Sequence, residues 1–285
     1  MAWFGERAAA NWYWLSSAAF VAFAIMESLK PDHRVRSRVG PRWLGHMAVY
    51  AVGIVTTSTV LPVFFATMAI GRPYTEATGL FSPVEAAGGP WAVLAAGLLG
   101  IDLLLYWVHR LEHRFEILWR FHAVHHADPD LDVSTALLHH PVITLFTGAL
   151  VGGTMLTLGL PAWILPVYAL FEITVGAFQH VATPISDGFE RRVCWLFVTP
   201  GMHQTHHSAD PAHHDTNYAN VLSVWDRLFG TFLTLDASER AQIRFGIAPD
   251  GAGHGLAGIL TRPFRIARRA DRSVKTGTAQ PVQQA

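Results

Sequence analysis

The sequence predicts an all-α fold: an integral membrane helical bundle of about four to five spans, with a cytoplasmic histidine-rich helical cap holding a di-metal site. Three observations predict it. The 285-residue chain is 51% hydrophobic and only 15% charged, with a mean hydropathy of +0.27, and several of its apolar runs approach bilayer length. Basic residues gather in one loop, between the first two runs. Histidines cluster directly behind the third run and return behind the fifth.

The runs can be taken in order. Residues 12–26 are apolar, with Trp12, Tyr13 and Trp14 placed as an interfacial belt and Asn11 and Glu27 at the headgroups. Residues 30–42 carry Lys30, Arg34, Arg36, Arg38 and Arg42 against Asp32 alone. Residues 44–70 are long enough to span with tilt, and Pro62 predicts a kink. Residues 71–90 read as a Gly/Pro-rich loop, and 91–108 as a third run. Residues 142–160 and 162–178 flank Gly159-Leu160-Pro161 and read as a helical hairpin. If the Arg-rich loop is cytoplasmic, the third run ends in the cytoplasm, and so does the hairpin. Every histidine box then lies on one face of the membrane, which in a bacterium would be the cytoplasmic face of the inner membrane. That topology comes from Arg and Lys, so its agreement with the histidines is independent support.

The third run leads into His109-Arg110-Leu111-Glu112-His113 and then His122-Ala123-Val124-His125-His126. Histidines four apart share a helix face, so His109 and His113 can hold one metal between them. On one straight helix His122 would lie roughly 220° around from His109. A shared site therefore requires a break between Arg114 and Phe121. The triplet returns as His203-Gln204-Thr205-His206-His207. Imidazole suits Zn, Cu, Fe or Ni, and eight ligands are too many for one ion, so at least two metals are implied. His33, His46 and His254 are isolated and read as ordinary core or surface histidines. Asp102 and Glu172 lie inside apolar runs, each about two turns before a histidine. Acids there either bond a neighbouring helix or support a ligand from behind.

Other classes are set aside. Zero net charge suggests no nucleic-acid partner. The single cysteine, Cys194, rules out an internal disulfide or a CxxC site and reads as a small buried hydrophobe. No cleavable signal peptide is expected.

At these residues the chain resembles the fatty acid hydroxylase/sterol desaturase superfamily of membrane di-metal oxidases. The likeness covers roughly 101–233. It rests on an acid before the first box, the H-R-x-x-H and two H-x-x-H-H boxes, Thr135, His140-Pro141, Gln179-His180 and Thr199-Pro200. It closes on Asn217-Tyr218 and Trp225-Asp226-Arg227-Leu228-Phe229-Gly230-Thr231. The resemblance implies that His109, His113, His122, His125, His126, His203, His206 and His207 are metal ligands, with His180 as a further one. Asp102, Glu172 and Asn217 are the residues expected to support the ligands from behind. Two positions depart from the pattern: Gly176, where some relatives carry another histidine, and Ala219 in place of glycine. His139, His213 and His214 are extra histidines read as non-ligands, and His140 is left open.

An all-histidine set leaves the metals cationic, with positions open for O2 or water. Such a centre at the ends of membrane helices suits a lipid chain presented between the helices. The expected activity is O2-dependent hydroxylation or desaturation of a lipid C–H bond (sterol, fatty acyl, carotenoid or ether lipid) by two iron ions. No haem, flavin or Fe–S motif is present, so electrons must come from an external donor of ferredoxin or cytochrome type. A zinc-dependent membrane hydrolase is an alternative, and a histidine-rich metal transporter is another. The chain accordingly divides into 1–108 (transmembrane helices and loops), 109–261 (histidine-box catalytic region with the hairpin at about 142–178) and 262–285 (a basic, then polar, flexible tail).

Overall fold

The computed structural model describes residues 2–31, 39–68, 77–247 and 253–265. His33, Arg34, Arg36, Arg38 and the tail beyond Arg265 lie outside the described residues, as do the side chains of Trp12 and Tyr13. Among the described residues the chain is all-helical, with no strand beyond two isolated bridges.

Helices α1 (Ala2–Leu29), α2 (Val39–Met68), α3 (Ser82–Arg114), α5 (Pro141–Leu158) and α6 (Ile164–Gln179) form the apolar bundle. Stretches of α2, α3 and α5 (Gly40–Val63, Gly79–Arg114 and Pro141–Leu158) are long and apolar enough to cross a membrane; Trp14–Leu29 and Ile164–Gln179 are shorter apolar helices. α1 packs along α6, and α2 along α5. One apolar core joins Ile101 and Leu105 of α3, Val151 and Met155 of α5, and Ile164 and Tyr168 of α6. Much of the outward surface is apolar, including Trp14, Leu44, Val63 and Trp91, as lipid contact requires.

Pro62 sits inside α2, within the run expected to continue through it. One boundary differs from the sequence expectation. The loop expected to run to Pro90 ends earlier, because α3 already starts at Ser82. Gly89, at φ +64°, lets the helix bend ahead of Pro90 and continue. The hairpin appears as expected: Gly159 caps α5 in the left-handed region at φ +82° and accepts from Thr78 N at 2.9 Å.

The break demanded by the histidine spacing falls at Phe115, whose extended backbone separates α3 from α4 (Glu116–His126). After α4, residues 128–137 run through a 3-10 turn (Val133–Leu137) and are held from behind by the first two helices. Arg42 of α2 pairs with Asp128 at 2.5 Å and with Asp132. Trp43 donates to Asp132 at 2.9 Å, and His46 meets Ser134 Oγ at 2.9 Å. Glu27 of α1 accepts from Val133 N at 2.9 Å and from Ala182 N at 2.5 Å. Arg42, counted above as a topology signal, is thus a buried structural cation, 2% exposed. Short helices α7 (Asp187–Val193), α8 (Pro200–His206) and α9 (Val224–Leu228) complete the cap.

Candidate metal centre

Four segments deliver histidines to one place. His109 and His113 lie on the last turns of α3, and His122, His125 and His126 on α4. His180 is the C-cap of α6, while His203, His206 and His207 belong to α8 and its C-cap. Thr199 caps the N-terminus of α8 by accepting from Met202 N, and Pro200 sets its first turn.

These nine histidines are buried and sort into two groups. His109, His113, His122, His126 and His206 form one; His125, His180, His203 and His207 form the other. Within each group the ligand nitrogens all lie within 4.8 Å of one another. Nε2 atoms face each other at 3.2 Å (His109–His122), 3.1 Å (His122–His126), 3.2 Å (His125–His180), 2.9 Å (His180–His203) and 3.0 Å (His203–His207). Two nitrogens bound about 2.1 Å from one ion, at tetrahedral or octahedral angles, stand about 3.0–3.4 Å apart. The groups have that spacing, and His206 Nε2 is buried with no hydrogen-bond partner. The spacing fits a metal in each group, and the unpartnered nitrogen fits one in the five-histidine group.

The opposite ring edges are fixed. His109 Nδ1 meets the Tyr218 carbonyl at 2.8 Å, His180 Nδ1 that of Gly176 at 2.7 Å, and His206 Nδ1 that of Thr216 at 2.7 Å. His125 Nδ1 lies 3.3 Å from the Leu138 carbonyl. A carbonyl accepts only, so each Nδ1 carries the proton and each Nε2 offers its lone pair inward. His122 Nδ1 instead lies 2.8 Å from Glu112 Oε2, and Thr147 donates to Glu112 Oε1 at 3.1 Å. Burial, reinforced by neighbouring histidines, holds His125, His126, His203 and His207 well below the ordinary imidazole pKa. His206 is held low in the same way, and His180 is lowered to about 4, chiefly by burial. All are therefore neutral at pH 7, the form that binds metal.

The three supporting candidates behave differently. Asp102 touches no histidine of either group. It accepts from Tyr168 Oη, Val221 N, Leu222 N and Trp225 Nε1 at 2.8–3.2 Å, and so holds the 218–225 segment whose Tyr218 carbonyl orients His109. Asn217, at φ +53°, donates to the Met202 and Leu233 carbonyls and accepts from Leu233 N, anchoring α8 beside His203. Glu172 makes no hydrogen bond among the described residues. His139 stacks on His125 at 4.3 Å, outside both groups. His140 caps α5, His213 meets Ser208 Oγ, and His46 meets Ser134, so these imidazoles serve the frame.

Sequence reasoning passed over Glu112 and Asp226. Asp226 accepts from Tyr218 N, Ala219 N and Thr231 Oγ1, and desolvation still pushes its pKa up to about 6. The signal for Glu112 was its place between two ligands of the first box. The signal for Asp226 was the run Trp225 to Thr231.

Residues 94–231 match the family model described as fatty acid hydroxylase. The chain is 31% identical over 158 residues to the alkylglycerol monooxygenase of Homo sapiens, covering 55% of this chain and 33% of that protein. It is 30% identical over 149 residues to the alkylglycerol monooxygenase of Xenopus tropicalis, covering 52% and 31%. It is 31% identical over 231 residues to the ornithine lipid hydroxylase OlsE of Rhizobium tropici, covering 78% and 66%. The match spans about a third of the length of those alkylglycerol monooxygenases. No solved structure matches.

Proposed function

Starting from a chain that belongs to the fatty acid hydroxylase superfamily, we propose that it is a multi-pass membrane enzyme that uses O2 and two iron ions to hydroxylate a lipid C–H bond. The observation that carries this reading is the division of nine buried histidines into a group of five and a group of four, carried by the ends of α3 and α6 and by α4 and α8. The five-histidine group would hold one iron through His109, His113, His122, His126 and His206; His125, His180, His203 and His207 would hold the other. When bound, the irons supply O2 activation and hydrogen abstraction, chemistry that the side chains cannot perform alone. Desaturation begins with the same abstraction, and the similarity to a monooxygenase and a hydroxylase favours oxygen insertion.

The protein's own residues do the rest. Backbone carbonyls and Glu112 fix the ring orientations, and the packed cap of Tyr106, Met202, Tyr218 and Phe229 closes the site against water. The bundle offers an apolar path for a lipid chain. The relatives' names support a lipid with a polar head, an ether lipid or an amino-acid lipid, as the substrate class. Electrons come from a separate reductant, and the basic loop favours placing the histidines on the cytoplasmic face. Transport is the poorer reading, because the histidines are gathered at one end of the bundle rather than strung along the spans.

Metal content of the detergent-purified protein, with His125→Ala as control, is the deciding measurement. About two irons per chain, with one lost in the variant, is the expected result, and it would license a lipid screen with O2 and reductant. Absence of metal after reconstitution with ferrous iron would overturn the reading. Tight stoichiometric zinc that iron cannot replace would favour a hydrolase instead.

A further inference from the structure

Glu172 is an acid of the helical interior that neither the metal centre nor the frame uses. It lies half-buried on α6 and enters no hydrogen bond or ion pair with the described residues. Its neighbours show which way it faces. Tyr168, one turn earlier, donates to Asp102 of α3 at 2.9 Å. Val175 packs on the core shared by α3, α5 and α6, and Gln179 donates to the Asn220 carbonyl at 2.5 Å. Residues 168, 172, 175 and 179 share one helix face. Glu172 therefore looks into the bundle, where Asp102 and Glu112 are the acids whose charge bears on it.

The space beyond it is open. A methyl group added at Gly176, one turn nearer His180, would meet nothing within 4 Å. The Gly176 carbonyl itself accepts from His180 Nδ1. There is thus room at Gly176, between Glu172 and His180 of the four-histidine group. Asp102 is surrounded by four donors, whereas Glu172 has none among the described residues, and an acid left alone in an apolar interior is costly.

We propose that Glu172 recognises the polar group of the lipid substrate. Its carboxyl accepts a hydrogen bond from a hydroxyl or amine donor, while the apolar chain lies past Gly176 with one carbon at the four-histidine group. This rests on the reading of the chain as a lipid oxidase and adds the substrate class, a lipid bearing a hydrogen-bond donor rather than a plain hydrocarbon. Eight residues separate Glu172 from His180, about 12 Å of helix, and that interval sets how far from the donor oxidation falls.

The test compares 1-hexadecanol, hexadecylamine and hexadecyl methyl ether as binding probes for the iron-loaded protein in detergent, under argon, by native mass spectrometry. The wild type is expected to bind alcohol and amine about tenfold more tightly than the ether. Glu172→Leu should bring all three to parity. Glu172→Gln, the safer variant for folding, should keep the alcohol preference and lose the amine's. A wild type with no preference, or a Glu172→Leu variant that keeps it in full, overturns the proposal. O2 uptake after readmitting air and reductant tests the oxidase reading separately. No uptake with any lipid would end that reading, while the binding ratio would still decide the role of Glu172.

Discussion

At the scale of single residues, the asymmetry behind the ligands matters most. His109, His125, His180 and His206 rest on neutral carbonyls, but His122 rests on the Glu112 carboxylate, which is 6% exposed. A negative charge there makes the imidazole a stronger donor and offsets part of the metal's charge in a low-dielectric site. Glu112→Gln should lower metal affinity of the five-histidine group about 10- to 100-fold and leave the other group within a few-fold. Metal titration of the variant against wild type checks this, and equal loss at both groups would argue for general misfolding instead. Eight of the nine histidines could be read in the sequence because helical spacing is a local pattern. Glu112 could not, because its partner lies across the Phe115 break and no local rule pairs residues over an extended link. His180 carried no local pattern either, being a lone histidine after an apolar run, and only the resemblance singled it out.

At the scale of elements, the segments bearing the grouped histidines are steadied by helices that bear none of them. Arg42 of α2 and Glu27 of α1 grip residues 128–133 and 182, flanking His125, His126 and His180. Arg42→Met leaves Asp128 and Asp132 buried without their cation, which should cost about 3–5 kcal/mol. A clear fall in thermal midpoint in detergent, with metal content reduced as well, is the expected outcome; an unchanged midpoint would mean that the grip contributes little. Gly159→Ala would place a methyl group against the Thr78 carbonyl at a left-handed position. It should destabilise by more than about 1 kcal/mol, read in the same melting experiment. Element identity was legible in the apolar runs, and so was the hairpin, because Gly159 and Pro161 punctuate it. The start of α3 was not. Gly89-Pro90 looks like a terminator locally, and only the positive φ at Gly89 turns it into a bend within a longer helix.

At the scale of the whole molecule, burying so many neutral imidazoles makes the metal-free protein sensitive to acid. Their pKa values are lower in the folded state than the ordinary 6.5 of the unfolded chain, so the unfolded state binds more protons below pH 6.5. Stability is then complete above about pH 7 and declines as pH falls through 6.5. His180, lowered to about 4, accounts by itself for on the order of 3 kcal/mol once the pH is below both values. Melting of the metal-free protein should therefore be flat from pH 7 to 8 and drop between pH 6.5 and 4; a flat profile throughout would contradict the buried neutral state. The same layout also governs how the protein is made. Each histidine group draws on α4 or earlier and on α8, with the α5–α6 hairpin between them in the chain. A nascent chain therefore carries incomplete groups, four histidines of the five and two of the four, until α8 has left the ribosome. On the proposed reading, a chain arrested after α6 would hold neither ion in a complete shell.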